Sequence, residues 1–467
     1  MFHKINSYSY ILFLAFFIIL LTPALFTDGM FMDGTIYAVI SRNLAEGNGS
    51  FWHLHFSNTL FSEFNEHPPL ALAIESLFFK ISGDTIYVER IYSLFTGIVS
   101  GFLIIQIINN FTNKKTLSSI SLFVWLSFPL TIWTFANNML ENTMTVFILL
   151  SAFFIIKSFK QNRIIFLFLS GIFLFAAFMS KGFPALFIWG VIFFYWLIYK
   201  EISFKRAIID TFILVFFTIF PLILFFLFSN EAKDSLSQYF NKQVIGSLEN
   251  VETVNSRLYI IGQMLNEMVI SVIFLIIFFV TARIKKLKIK FENNSLKTGL
   301  FFFFIALSGI LPIMVSMKQR SFYIVPALPF LAISVSFFLI NIIETFPAFV
   351  SFFKKRFFIP LSYGLLVVSI IMIFIFAGKQ GRDIDKISDI YKMTKLIPEK
   401  EKISISDELF NDWSLYAYMQ RYGKYSLSRK KDTKWFLTEK KPFSDTNFVK
   451  SDINLKKYSL YKNLSEN

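Results

Sequence analysis

Residues 357–377 read FFIPLSYGLLVVSIIMIFIFA and follow Lys354-Lys355-Arg356. No charge interrupts the run, which as a helix is long enough to cross a hydrocarbon core about 30 Å thick. The basic triplet before it marks a cytoplasmic end by the positive-inside rule. Past Gly378 the composition turns to Lys, Asp, Glu, Ser and Tyr. This stretch therefore reads as the last crossing of a membrane bundle, with a polar tail beyond it.

Working back from it, the same reading repeats. Apolar runs at 9–27, 91–109, 117–135, 141–157, 163–179, 183–199, 207–229, 268–283, 298–316 and 322–342 have the length of membrane helices. With 357–377 they predict a mainly α, polytopic membrane helical bundle of about eleven spans. The first run has no small-residue cleavage site after it and reads as a retained span.

The composition agrees. Hydrophobic residues make up 55% of the 467 and charged residues 16%, with 64 Phe; soluble domains run to about 45–50% and about 25%. The absence of cysteine excludes disulfides, thiolate metal sites and a cysteine nucleophile. The net charge of +15 collects in alternate loops, at Lys114 and Lys115, Lys157 to Arg163, Lys200 to Arg206, Arg283 to Lys290 and Lys354 to Arg356. These are topology signals and places for anionic lipid, not a nucleic-acid surface. They put the N-terminus in the cytoplasm and the tail outside. High Phe, Ile, Lys and Asn usage points to a bacterial inner membrane.

Three outer segments exceed what a connection needs. The first, about 28–90, carries two amphipathic patterns, Asp33–Ala45 and Pro68–Ile81, read as surface helices. The second is about 230–267. The third is the tail, where alternations at Lys402–Ile405 and Lys434–Leu437 predict strands of a small extracytoplasmic α/β domain. The expected division is a membrane domain over 1–377 and a C-terminal domain over 378–467.

The outer ends carry carboxylates as well as cations, and each has two readings. Asp33, in FMDGTIYAVISRNLAEG (31–47), is an N-cap or a general base for an acceptor hydroxyl. Glu66-His67-Pro68-Pro69-Leu70 starts a helix, or sets Glu66 on a cation or substrate and His67 on a phosphate. Glu141 favours its helix N-terminus or faces Asp33 as a second acid. Lys181, before Gly182, and the pair Lys318 and Arg320 reach lipid headgroups or bind a phosphate. His53 and His55 lack a third ligand for zinc, and no phosphate-cradling glycine loop is present.

Taken in order, these segments resemble the GT-C integral-membrane glycosyltransferases of the protein O-mannosyltransferase and lipid A aminoarabinose transferase superfamily. The resemblance covers about the first 340 residues. It rests on Asp33 followed by Tyr37 and Arg42, on EHPPL at 66–70, on Glu141, on Lys181-Gly182 and on the run from Arg320 through Tyr323 to Pro326. It implies a polyprenyl-phosphate sugar donor, a glycan, lipid or protein acceptor, and transfer at the outer face of the membrane. By resemblance Asp33 is the base and Glu141 shapes the acceptor pocket. Glu66 lines the site and is a candidate ligand for a divalent metal ion, the one cofactor the family brings to mind. His67, Lys181 and Arg320 meet the donor phosphate, with Tyr37, Arg42, Lys318 and Tyr323 nearby.

Two positions depart from the family pattern. Gly34 stands where a second acid is common, and His67 where Lys is common. Histidine titrates near pH 6.5, so phosphate binding through His67 would depend on pH. The competing reading is a secondary transporter or lipid flippase. Such proteins place ionisable groups near mid-membrane, whereas here they gather at one face. A noncatalytic scaffold would leave the acidic cluster without a use.

Overall fold

The computed structural model describes residues 7–246, 252–346, 357–440, 445 and 447–464. The predicted basic cluster at Lys354, Lys355 and Arg356 lies outside them. Among the described residues, eight helices are long and apolar enough to cross a membrane. A bent helix pair passes the same test only when its two halves are taken together, and two shorter apolar helices occupy 9–25 and 183–199. These positions correspond one for one to the eleven predicted runs.

In chain order the helices are α1 (Ser7–Leu25), α2 (Met32–Ala45), α3 (Leu70–Ser82), α4 (Val88–Asn109), α5 (Lys115–Leu126), α6 (Pro129–Ala136), α7 (Leu140–Ser158) and α8 (Arg163–Lys181). There follow α9 (Val191–Tyr199), α10 (Phe204–Phe228), α11 (Asn230–Tyr239), α12 (Tyr259–Ile284), α13 (Asn293–Ile310), α14 (Leu328–Ile343) and α15 (Phe358–Phe376). The tail adds α16 (Ile384–Met393) and α17 (Trp413–Gly423).

Two spans differ from the sequence reading. The run 117–135 breaks into α5 and α6, which meet at 70°. Pro129 sits at the first position of α6, where its missing N–H costs nothing. The next amide, Leu130 N, donates to Glu267 Oε2 at 2.9 Å. That bond leads to the second difference. Helix α12 begins at Tyr259, not 268, and carries Glu267 within it, its carboxylate buried in the bundle and bonded to the start of α6.

The bundle core runs through Phe17, Trp125, Ile148, Leu174, Phe302 and Leu331. Helices α2 and α3 pack on each other in the first loop, as the two amphipathic patterns predict. The tail forms a sheet of β1 (Lys402–Ile405), β2 (Ser426–Ser428), β3 (Trp435–Glu439), β4 (Phe448–Lys450) and β5 (Tyr458–Asn463). Its order is β2-β1-β3-β5-β4. Strand β1 is parallel to both neighbours, and β5 is antiparallel to both of its own.

Sheet and first loop share one core. Tyr37, Ile40 and Leu72 of the loop cluster with Ile403, Tyr418, Leu437 and Leu460 of the tail. Polar bonds stitch the same seam. Tyr418 Oη donates to Met30 O at 2.7 Å, and Tyr391 Oη to Asp28 Oδ2 at 2.6 Å. Arg421 bonds Asp84 at 2.7 Å and Glu89 at 3.1 Å. The tail thus clamps the loop from which the candidate site is built.

Candidate active site

Helix α2 carries the first acid. Asp33 lies in its first turn, while Phe31 holds the N-cap position with no side-chain cap. The N-cap reading of Asp33 is therefore incorrect. Phe31 N instead donates to Asn137 Oδ1 at 2.7 Å. Gly34, next to Asp33, faces the same turn: a Cβ built there would lie 1.8 Å from Asn137 O. A second acid at that place would not fit, which accounts for the departure from the family pattern.

One helical turn beyond Asp33, Tyr37 Oη and His67 Nε2 lie 3.2 Å apart. Pro68 and Pro69 follow His67 and lead into α3, so the loop acid Glu66 is delivered beside α2. Glu141 sits in the first turn of α7 and is fully buried. Its Oε1 accepts a hydrogen bond from Lys181 Nζ at the end of α8. Lys181 Nζ also lies 5.3 Å from the Phe322 ring centroid and 5.6 Å from that of Tyr323. Gly182 turns the chain away at φ +95°, with Tyr239 Oη where a Cβ would stand.

The loop 316–320 completes the group. Lys318 Nζ donates to Gln243 Oε1 at 2.9 Å. Buried Gln319 locks the turn through bonds to Thr253, Arg257, Ile260 and Ser316. Arg320 is exposed at its rim. The sequence reading missed Gln243 and Lys242 because it left 230–267 without structure, and Gln319 because it took only the charged residues on either side of it. The polar run following α10 is the signal that could have found Gln243 and Lys242.

The electrostatics tie these side chains together. Burial raises the Asp33 carboxyl above its ordinary value; Lys181 and Arg320 oppose the shift and Glu141 adds to it. Burial also raises Glu66, with Lys318 and Lys242 opposing and Asp33 adding. Lys318 is lowered, first by burial, against the pull of Glu66. His67 is driven well below its ordinary value by burial and by Lys181 and Lys318. Without a bound anion, that lowering runs against a charged His67 at the donor phosphate. The imidazole stays neutral at physiological pH, and its Nδ1 is buried with no hydrogen-bond partner among the described residues.

Asp33, Tyr37, Glu66, His67, Glu141, Lys181, Lys318, Arg320 and Tyr323 are thus brought together. Arg42 is not. It is 1% exposed, with its guanidinium bonded to Gln420 O, Arg421 O and Asn43 Oδ1. It ties α2 to the tail instead of facing a substrate, because it lies on α2 away from the Asp33–Tyr37 face. A metal at Glu66 also finds no support in the donor set. Among the described residues no three His, Asp or Glu side chains could hold an ion together. Glu66 is faced by lysines, and no step below runs through a metal.

An apolar groove of about 330 Å³, lined by Phe178, Phe183, Leu222, Phe226 and Tyr239, lies beside the Lys181–Gly182 turn.

Residues 66–225 match the family model for dolichyl-phosphate-mannose-protein mannosyltransferases. No curated protein sequence matches the chain. Among solved structures, ArnT from Cupriavidus metallidurans bound to undecaprenyl phosphate is similar over 98% of each chain, with TM-score 0.68 at 12% identity. Its apo state gives 0.67 over the same coverage at 12% identity. The archaeal oligosaccharyltransferase AglB from Archaeoglobus fulgidus, in complex with an inhibitory peptide and a dolichol-phosphate, gives 0.52 at 11% identity. That match covers 94% of this chain and 70% of AglB. The chain has the fold of the GT-C integral-membrane glycosyltransferases that its motifs resemble.

Proposed function

We propose that the protein transfers a sugar from a polyprenyl-phosphate donor to an acceptor hydroxyl at the outer face of the cytoplasmic membrane. The observation that carries this reading is the partly buried Asp33 carboxyl beside Lys181, Glu141 and Arg320 at the loop end of the bundle. A carboxylate raised by burial is a stronger base, and cations next to it suit a phosphate leaving group. The similar ArnT and AglB structures hold undecaprenyl phosphate and dolichol-phosphate. The apolar groove beside Lys181 offers a polyprenyl chain a berth within the lipid boundary.

In the step proposed, Asp33 takes the proton of the acceptor hydroxyl as its oxygen attacks the anomeric carbon. The bond from that carbon to the phosphate oxygen breaks, and the phosphate leaves with the electron pair. Lys181, Lys318 and Arg320 stabilise the charge that develops. Neutral His67 with Tyr37, together with Tyr323, offers hydrogen bonds to the sugar. Glu141 holds Lys181 in place and shapes the acceptor side. The basic clusters on the other end support a cytoplasmic side for that end.

The test is transfer by the purified protein in nanodiscs from a panel of radiolabelled polyprenyl-phosphate sugars, with a glycan and protein extract as acceptor. Label moving with wild type and not with Asp33→Asn supports the reading. Equal transfer by both variants removes Asp33 as the base.

A further inference from the structure

Behind the cluster lies a carboxylate that the proposed chemistry does not use. Glu75, on α3, is 1% exposed. Its Oε1 accepts from Asn138 Nδ2 at 2.7 Å, and its Oε2 accepts from Ser41 Oγ at 2.9 Å. Ser41 is 0% and Asn138 3% exposed, so all three groups are sealed from water.

The partners are what make this placement informative. Ser41 lies on α2, eight residues after Asp33 and four after Tyr37, on one face of the helix. Asn138 lies in the turn between α6 and α7, three residues before Glu141. Its neighbour Asn137 meets the chain on both sides of Asp33, at Phe31 N and at Gly34. Glu75 itself belongs to the helix that Glu66-His67 leads into. One side chain thus joins the three elements that carry Asp33, Glu66 and Glu141. Asn138 also holds a left-handed conformation at φ 50°. Asparagine is among the few non-glycine residues that take this shape readily.

We infer that Glu75 is a positioning residue for the transfer reaction, a strut that sets the distance between the Asp33 and Glu141 helices. The inference rests on the proposed transferase reading. In its neutral form the acid donates from Oε2 to Ser41 Oγ, reversing that bond, while Oε1 still accepts from Asn138. Burial and nearby Glu89 push Glu75 up to about 8, against the hydrogen bonds from Asn138 and Ser41 and the charge of Arg421. A glutamine can make the same pair of bonds, its carbonyl accepting from Asn138 and its amide donating to Ser41.

The experiment compares Glu75→Gln, Glu75→Ala and the milder Ser41→Ala with wild type. It measures kcat and donor KM in nanodiscs, and hydrogen exchange over residues 137–142 by mass spectrometry. The account expects Glu75→Gln to stay within about threefold of wild type in kcat. It expects Glu75→Ala to lose tenfold or more in kcat with donor KM unchanged, and Ser41→Ala to lose less. Exchange in the 137–142 turn should rise in Glu75→Ala and return to the wild-type level in Glu75→Gln. Wild-type kcat in a folded Glu75→Ala overturns the inference, as does a Glu75→Gln as impaired as Glu75→Ala. If wild type itself transfers nothing, the transferase reading fails. Unchanged exchange in Glu75→Ala would then overturn the strut separately.

Discussion

The two ends of this bundle both carry charge, and they treat it in opposite ways. At the basic end, Lys114 pairs with Glu344 at 3.0 Å and Glu292 at 3.3 Å, with all three side chains at least 41% exposed. Arg163 and Arg206, about a third exposed, cover buried Asp210 from the solvent side. At the loop end, Lys181 and Glu141 pair inside the protein, and among the described residues Glu141 Oε2 and His67 Nδ1 have no hydrogen-bond partner; Asp210 Oδ2 at the basic end also lacks one, but Arg206 Nε stands 3.5 Å from it. Exposed pairs are worth little and need no purpose beyond solubility and topology. Buried groups with bonding capacity to spare are costly, and are retained where a ligand satisfies them. The difference separates a topology signal from a site.

That comparison can be broken in order of expected effect. Asp33→Asn should lower kcat by about 10²–10⁴-fold, the usual contribution of a general base, without lowering the melting temperature. A variant with wild-type turnover would place the base elsewhere. Lys181→Ala should raise donor KM and cost about 3–5 kcal/mol of stability, because it strands the Glu141 carboxylate in the core. Denaturant unfolding together with donor titration reads both effects. Gly34→Ala should cost about 1–3 kcal/mol through its collision with Asn137 O. An unaltered unfolding midpoint would show that the α2 contact with that turn is loose. Lys114→Ala, at the other end, should change stability by less than about 1 kcal/mol and leave turnover alone.

A pH profile sharpens the same contrast. The Asp33 carboxyl is raised by burial, so it keeps its proton, and is no base, to a higher pH than an ordinary aspartate does. Turnover should therefore climb with rising pH through that raised value. His67, lowered and neutral, should add no inflection near pH 6.5. An inflection there that disappears in His67→Gln would contradict the neutral imidazole.

Much of this was legible in the sequence because membrane helices announce themselves by length and charge alone. The positions of Asp33, Glu66 and Glu141 near helix starts were legible too, since Asp33 follows an apolar run, Glu66 precedes Pro68 and Pro69, and Glu141 opens another apolar run. What escaped was tertiary. Glu267 looked like the edge of a span because nothing local says that a distant amide, Leu130 N, will satisfy it. Arg42 looked like a site residue by resemblance, yet its carbonyl partners come from residues 420 and 421 of the tail. Glu75 looked like one polar residue in an amphipathic helix. Only the fold brings Ser41 and Asn138 to it.

The most direct test of the central claim sets the two ends against each other in one assay. Single-turnover transfer from a radiolabelled polyprenyl-phosphate sugar would be timed for wild type, Asp33→Asn and Lys114→Ala. The account predicts that Lys114→Ala keeps the wild-type rate while Asp33→Asn falls by at least about a hundredfold. Equal rates for Asp33→Asn and wild type would contradict it.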